Sequence, residues 1–136
     1  MRMLGITRAS LLMVPLLLLA CSKPVDLPAP NLENADPMVA EFIELTTRAV
    51  ANNPNSVDAW NDLGRTYYAN GFPEEANVAF TESLKREPAQ ARTLYLRGLA
   101  RRNMYELDGS LADMEAALKQ KLNVPHLWWR AAWVAM

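Results

Sequence analysis

The stretch WNDLGRTYYANGFPEEANVAF, residues 60–80, places small and large apolar residues at helical spacing on both sides of a Gly-Phe-Pro break. Gly64 and Ala76 are small where two antiparallel helices would cross closely, and aromatic residues flank them. Gly71 suits the left-handed end of a first helix, and Pro73 suits the first turn of a second one. The stretch therefore predicts a pair of antiparallel helices.

The features of this pair recur 34 residues further along the chain. Residues of similar size or type match at seven pairs of positions: Pro54 and Pro88, Trp60 and Leu94, Gly64 and Gly98, Ala76 and Ser110, Phe80 and Met114, Ser83 and Ala117, and Leu84 and Leu118. A repeat of this length indicates a solenoid of stacked helix pairs.

Residues 57–90 resemble the tetratricopeptide repeat at nearly every signature position: Trp60-x-x-Leu63-Gly64-x-x-Tyr67, Ala76-x-x-x-Phe80 and Pro88. The repeat at 91–124 keeps Gly98, Met114 and Ala117 but departs elsewhere, with Leu94 for Trp, Arg97 for Leu, Arg101 for Tyr and Leu122 for Pro. Segment 37–54 resembles the second helix of an incomplete repeat. Segment 125–136 starts another first helix, with Trp128 where Trp60 would fall. The resemblance thus covers residues 37–136.

We expect an all-α fold, a tetratricopeptide-type solenoid of antiparallel helix pairs, because no alternating strand pattern of any length occurs. About six helices are predicted, at 37–52, 57–70, 73–86, 91–104, 107–120 and 125–135. The alternative is an unrelated helical bundle with coincidental spacing.

Residues 1–20 resemble a bacterial export signal. Arg2 and Arg8 accompany an apolar run of about ten residues, which is short of the roughly 20 that span a bilayer. Leu18-Leu19-Ala20-Cys21 resembles a lipoprotein lipobox, which implies cleavage before Cys21, a diacylglycerol on its thiol and a palmitate-type acyl group on the freed amine. Ser22 implies sorting to the outer membrane, on its periplasmic face. The alternative is a free cysteine.

Residues 21–36 comprise this cysteine and a segment with prolines at positions 24, 28 and 30. Proline blocks regular hydrogen bonding and favours extended chain. We therefore interpret the segment as a flexible tether between the membrane and the repeats at 37–136. An ordered loop is the alternative.

Composition and motifs argue against several classes of protein. The net charge of −1 does not favour nucleic-acid binding, which requires phosphate neutralisation. A single cysteine and a single histidine, His126, cannot form a Cys/His zinc cluster. No phosphate loop, haem-attachment motif or nucleophile elbow appears. We expect no enzymatic activity, no cofactor and no metal.

The resemblance implies a concave groove, lined by the first helix of each pair, that holds a peptide or a partner helix. By position this face includes Asp58, Asn61, Arg65, Tyr68, Arg92, Tyr95, Leu99, Arg102 and Asn103. Arginines and tyrosines there could pair with carboxylates and stack on planar groups. Asn61 and Arg65 depart from the carboxylate clamp for chaperone tails, so that ligand is not expected. Ordinary solvated helix surface is the alternative.

The predicted last helix carries Trp128, Trp129 and Trp133, although terminal repeats usually have a polar outer face. We expect this end to be covered by a second copy, a partner or further chain. The leading hypothesis is a lipid-anchored, non-catalytic adaptor or assembly factor of the cell envelope that binds protein partners. A self-associating structural subunit and an accessory module of a periplasmic enzyme complex are the alternatives.

Overall fold

In a computed structural model that describes residues 26–120, the chain forms five α-helices: α1 Pro37–Asn52, α2 Val57–Ala69, α3 Pro73–Arg86, α4 Ala91–Asn103 and α5 Leu107–Lys119. No strand occurs within these residues. Each helix packs on the next in sequence, and α2 also touches α4. The all-α solenoid of helix pairs is confirmed, and these five helices match their predicted bounds to within one residue. The predicted helix 125–135, the leader 1–20 and Cys21 lie outside the described residues.

Local sequence determines where the first two helices begin. At the start of α1 the Asp36 carboxylate accepts a hydrogen bond of 2.8 Å from an amide of the first turn. At the start of α2 the Ser56 hydroxyl accepts one of 3.1 Å. Both side chains satisfy an amide that has no partner within its helix.

The turns inside the two helix pairs share one backbone conformation but differ in sequence. Gly71, between α2 and α3, has φ +84°, as predicted for a left-handed helix end. One repeat later, Tyr105 occupies the same place between α4 and α5 with φ 62°. A side chain is strained in this region, so the second turn is less favourable than the first.

The first repeat, α2 with α3, holds the largest side chains of the core. Trp60, Leu63, Tyr67 and Phe80 are each at most 1% exposed. A Cβ atom added at Gly64 would lie 2.6 Å from two carbon atoms of the Phe80 ring. The glycine is therefore required by the close crossing of α2 over α3.

The second repeat, α4 with α5, replaces an apolar triplet of the first with an ionic triplet. The equivalents of Leu63, Tyr67 and Ala79 are Arg97, Arg101 and Asp113. Arg97 contacts both carboxylate oxygens of Asp113, with Nη2–Oδ1 at 2.6 Å and Nε–Oδ2 at 2.8 Å. Arg101 Nη1 donates to Oδ2 at 2.9 Å. The Asp113 side chain is only 5% exposed, so its charge depends on these two arginines.

Two polar residues of α3 extend this ionic triplet across the joint between the repeats. Arg97 Nη1 donates to Thr81 Oγ1 and Arg101 Nε donates to Asn77 Oδ1, both at 3.2 Å. The equivalent of Asn77 in α1 is Ile43, which is buried in the apolar core. An apolar contact at the α1–α2 joint is therefore replaced at the α3–α4 joint by hydrogen bonds from the two arginines, beside the apolar packing of Leu84 on Leu94.

Residues 26–35, the N-terminal strap, lie against the helices. Leu27 and Leu32 pack on the core cluster that contains Ile43 and Tyr67. The Tyr67 hydroxyl donates a 2.6 Å hydrogen bond to the Pro28 carbonyl. These residues belong to the predicted tether, and the two leucines bury apolar surface there that its proline content does not reveal.

Candidate functional site

The nine predicted groove residues all lie on α2 and α4, the first helices of the two pairs. They differ in how much surface they offer to a partner. Asp58, Arg65, Arg92 and Asn103 are exposed, Asn61, Tyr68, Tyr95 and Arg102 are partly buried, and Leu99 is buried.

Asn61 is committed to contacts within the protein. Its Nδ2 donates to Gln90 Oε1 at 2.7 Å, and its Oδ1 accepts from the Thr93 hydroxyl at 2.9 Å. Gln90 Nε2 in turn donates to Ser83 Oγ at 3.1 Å. This network ties α2 to the α3–α4 connection, and the Asn61 amide therefore stabilises the joint between repeats.

Arg65 and Arg92 line a cavity of about 230 Å³ between α2 and the start of α4, and Asn61 and Leu96 also contribute to its wall. Arg65 forms an ion pair with Asp62 on its own helix, and both side chains are about half exposed. Exposed pairs of this kind contribute little stability. Two guanidinium groups at one cavity favour a ligand that carries a carboxylate.

The other predicted groove residues lie apart from this cavity. Tyr68 packs beside the core cluster of the first repeat and Tyr95 beside that of the second, while Leu99 is inside the protein. These three residues contribute mainly to packing. Asp58 lies in the first turn of α2, whereas Arg102 lies in the last turn of α4 next to Asn103. The structure thus brings together Asn61, Arg65 and Arg92 and separates the rest.

A second surface was not predicted from the sequence. Met38, Phe42 and Leu45, here called the α1 apolar face, are 77%, 52% and 58% exposed. They line a cavity of about 650 Å³, and the last two also line one of about 570 Å³ shared with Arg65 and Ala69 of α2. Their spacing of four and three residues places them on one side of a helix whose buried stripe lies elsewhere. Both apolar stripes of α1, the exposed one and the buried one, were visible in the spacing of the sequence.

The described residues show little of the chemistry expected of an active site. Within 26–120 no group of three His, Cys, Asp or Glu side chains could hold a metal ion, and no helix is long and apolar enough to cross a membrane. Burial raises the pKa of the Tyr67 hydroxyl, and a hydrogen bond from Lys85 lowers the pKa of the Glu82 carboxyl. Both shifts arise from packing or a helix-surface ion pair rather than from a cleft.

The architecture is a solenoid of antiparallel helix pairs with an open, charged surface. Residues 45–76, from the second half of α1 to the first turns of α3, match the family model described as tetratricopeptide repeat. A crystal structure of MamA has the same fold, with a TM-score of 0.66 and 17% identity over 79% of this chain and 64% of that chain.

Protein FlbA of Caulobacter vibrioides is similar in sequence. It is 34% identical over 80 residues, which is 59% of this chain and 13% of FlbA. The chain therefore spans only a small part of the length of that relative.

Proposed function

We propose that the protein is a non-catalytic adaptor or assembly factor of the bacterial cell envelope, held by lipid at Cys21 on the periplasmic face of the outer membrane. The repeats act as a docking surface for a protein partner. The observation that carries the docking proposal is the cavity between α2 and α4 that both Arg65 and Arg92 line. A helical-repeat solenoid offers an extended surface to partners rather than an enclosed site.

The arrangement of charge favours a partner segment that bears carboxylates. Arg65 is about half exposed and Arg92 is exposed, and Arg102, which is partly buried, adds a third positive charge in the last turn of α4. A guanidinium group binds a carboxylate in bidentate geometry, which fixes orientation as well as contributing energy. The open cavity volume beside Arg65 and Arg92, about 230 Å³, suits a side chain rather than a cofactor.

Crosslinking and pull-down from envelope fractions test the docking surface. We expect wild type to capture a partner that an Arg65→Ala/Arg92→Ala/Arg102→Ala variant loses. A control variant removes the same charge from exposed positions of the second helices, by Arg48→Ala/Lys85→Ala/Lys119→Ala. Equal loss with both variants would show a general charge effect and would refute binding at the α2–α4 surface.

The anchor has a separate test. Wild type should incorporate labelled palmitate and fractionate with the outer membrane, because two or more acyl chains anchor a protein stably. Cys21→Ser should lose both the label and the membrane association, and Ser22→Asp should keep the label but move to the inner membrane. Palmitate label that persists in Cys21→Ser would rule out lipidation at this cysteine.

A further inference from the structure

The α1 apolar face occupies the positions at which the other second helices receive their first helix. One and two repeats after Phe42 lie Ala76 and Ser110, and after Leu45 lie Ala79 and Asp113. These four equivalents, in α3 and α5, are at most 4% exposed. Phe42 and Leu45, in contrast, are more than half exposed. The α1 apolar face is therefore shaped to pack on a first helix, but within the described part of the chain no helix covers it.

Residues 26–36, which are most of the segment that the repeat would place against α1 here, do not form a helix. The 34-residue register puts a first helix at 23–36, but residues 26–36 are not helical and include Pro28 and Pro30. The strap instead packs on the other side, near Ile43 and Tyr67. The missing helix must therefore come from elsewhere than the residues directly before α1.

The sequence predicts a further first helix in the correct register. The segment 125–135 is predicted to be a helix, with Trp128 at the place of Trp60 and Ala132 at the place of Gly64 and Gly98. A small residue at that place is what permits a close crossing, as Gly64 shows against Phe80. This segment follows α5, which among the described helices packs only on α4, whereas α1 packs only on α2. The α1 of the same chain therefore lies at the end of the helix array opposite to α5.

The charges of the two surfaces are complementary. The larger cavity on α1 is lined by the carboxylates of Asp36, Glu41 and Glu44, and its one guanidinium, Arg48, is ion-paired with Glu44. Residues 121–136 contain Lys121 and Arg130 and no acidic residue. A basic, tryptophan-rich segment thus matches an apolar surface that has acidic residues at its edge.

We propose that the α1 apolar face binds the segment 125–135 of a second copy, so that one copy completes the incomplete repeat of the next. The contact is head-to-tail. Contacts of this type between identical copies produce rings or open filaments rather than a symmetric dimer. The proposal does not rest on the lipid anchor or on the proposed docking partner, although Arg65 borders both the α1 apolar face and the α2–α4 surface.

Cysteine crosslinking between two tagged full-length copies, co-expressed and oxidised in their own membranes, tests the contact. One copy carries Leu45→Cys and the other Ala132→Cys. A Cβ at Gly98, the equivalent of Ala132, would lie 3.3 Å from the Cβ of Asp113, the equivalent of Leu45. That separation is close to the Cβ–Cβ distance of about 3.8 Å in disulfides. Phe42→Cys with Ala132→Cys provides a second pair at the same crossing.

We expect a reducible dimer that carries both tags from each of these pairs, and larger species when Leu45→Cys and Ala132→Cys are in one chain. The matched control is Ala51→Cys with Ala132→Cys, because Ala51 is exposed and its equivalents Lys85 and Lys119 are exposed too. Wild type controls for the native Cys21. The proposal would be overturned if neither pair crosslinked or if the control crosslinked equally. It would also be overturned if Leu45→Cys copies linked to one another or if the link formed within one chain.

Discussion

At the scale of single residues, Asp113 shows how the second repeat departs from the first. Its carboxylate is nearly buried and is paired with Arg97 and Arg101, which replace the apolar residues Leu63 and Tyr67 of the first repeat. Removal of one partner from a buried ionic group leaves the other charges uncompensated. Replacement of the whole group by apolar residues of suitable size is often neutral or stabilising.

We therefore expect Asp113→Ala to lower the free energy of unfolding by about 3 kcal/mol, at the low end of the range for buried pairs because the arginines retain some solvent contact. The variant Arg97→Leu/Arg101→Tyr/Asp113→Ala copies the first repeat and should stay within about 1 kcal/mol of wild type or exceed it. Urea denaturation measures both variants. A triple variant as unstable as Asp113→Ala would show that the ionic group has no apolar equivalent here.

Tyr105 gives a second prediction at this scale. Its φ of 62° lies in the left-handed region, and its side chain is 88% exposed, so little packing is lost when it is removed. Tyr105→Gly should raise the free energy of unfolding by about 1 kcal/mol, since the strain it relieves exceeds the added entropy of glycine in the unfolded chain. Gly71→Ala, at φ +84°, should lower it by a similar amount. A loss of thermal stability in Tyr105→Gly would contradict this account.

At the scale of elements, the N-terminal strap is held to the helices by few contacts. Leu27 and Leu32 supply apolar contacts, and the hydrogen bond from Tyr67 to the Pro28 carbonyl supplies a polar one. Burial raises the pKa of Tyr67 above its ordinary value of 10.0, since the buried site disfavours the phenolate. The stability that the buried, neutral Tyr67 hydroxyl contributes is complete below pH 10. It is lost as the pH rises through the pKa of Tyr67 in the folded state.

Tyr67→Phe should therefore speed hydrogen exchange in residues 26–35 at neutral pH and leave the exchange of α4 and α5 unchanged. It should also reduce the loss of stability that wild type shows as the pH rises above 10, because phenylalanine does not ionise. Tyr68→Phe is the matched control, since no hydrogen bond from its hydroxyl to the strap occurs among the described residues. Equal exchange in wild type and Tyr67→Phe would show that the leucines alone hold the strap.

At the scale of the whole molecule, the two ends of the helix array differ in what they offer. The α1 end presents the α1 apolar face with acidic residues at its edge, and the segment after α5 is basic and rich in tryptophan. If the copies associate head-to-tail as proposed, folding and association are linked, and stability depends on protein concentration.

The midpoint of thermal unfolding of the full chain should then rise with protein concentration. In Phe42→Ser/Leu45→Ser it should not, because both substitutions remove apolar surface from the α1 apolar face without entering the core. Differential scanning calorimetry over a wide range of concentrations makes the comparison. A midpoint that is independent of concentration in wild type would speak against association.

Most of the fold was predictable from the sequence, because the signature spacing depends on local geometry. Gly64 and Phe80 are 16 residues apart, and their contact follows from the helix pair itself. The candidate site was less predictable. Position on α2 and α4 identified Arg65 and Arg92, but it could not show that Asn61 is bonded to Gln90 and Thr93, since those contacts join different repeats.

The sequence by itself determined the helices, their order and the 34-residue register, because turns, small residues at crossings and apolar spacing act over short distances. Only the tertiary structure decided how polar groups are paired and which faces stay open. Asp113 is paired with arginines on a neighbouring helix, the strap packs near Tyr67, and within residues 26–120 no helix covers Phe42 as one covers its equivalents. Each of these outcomes depends on which elements meet in space, which the spacing within one helix does not specify.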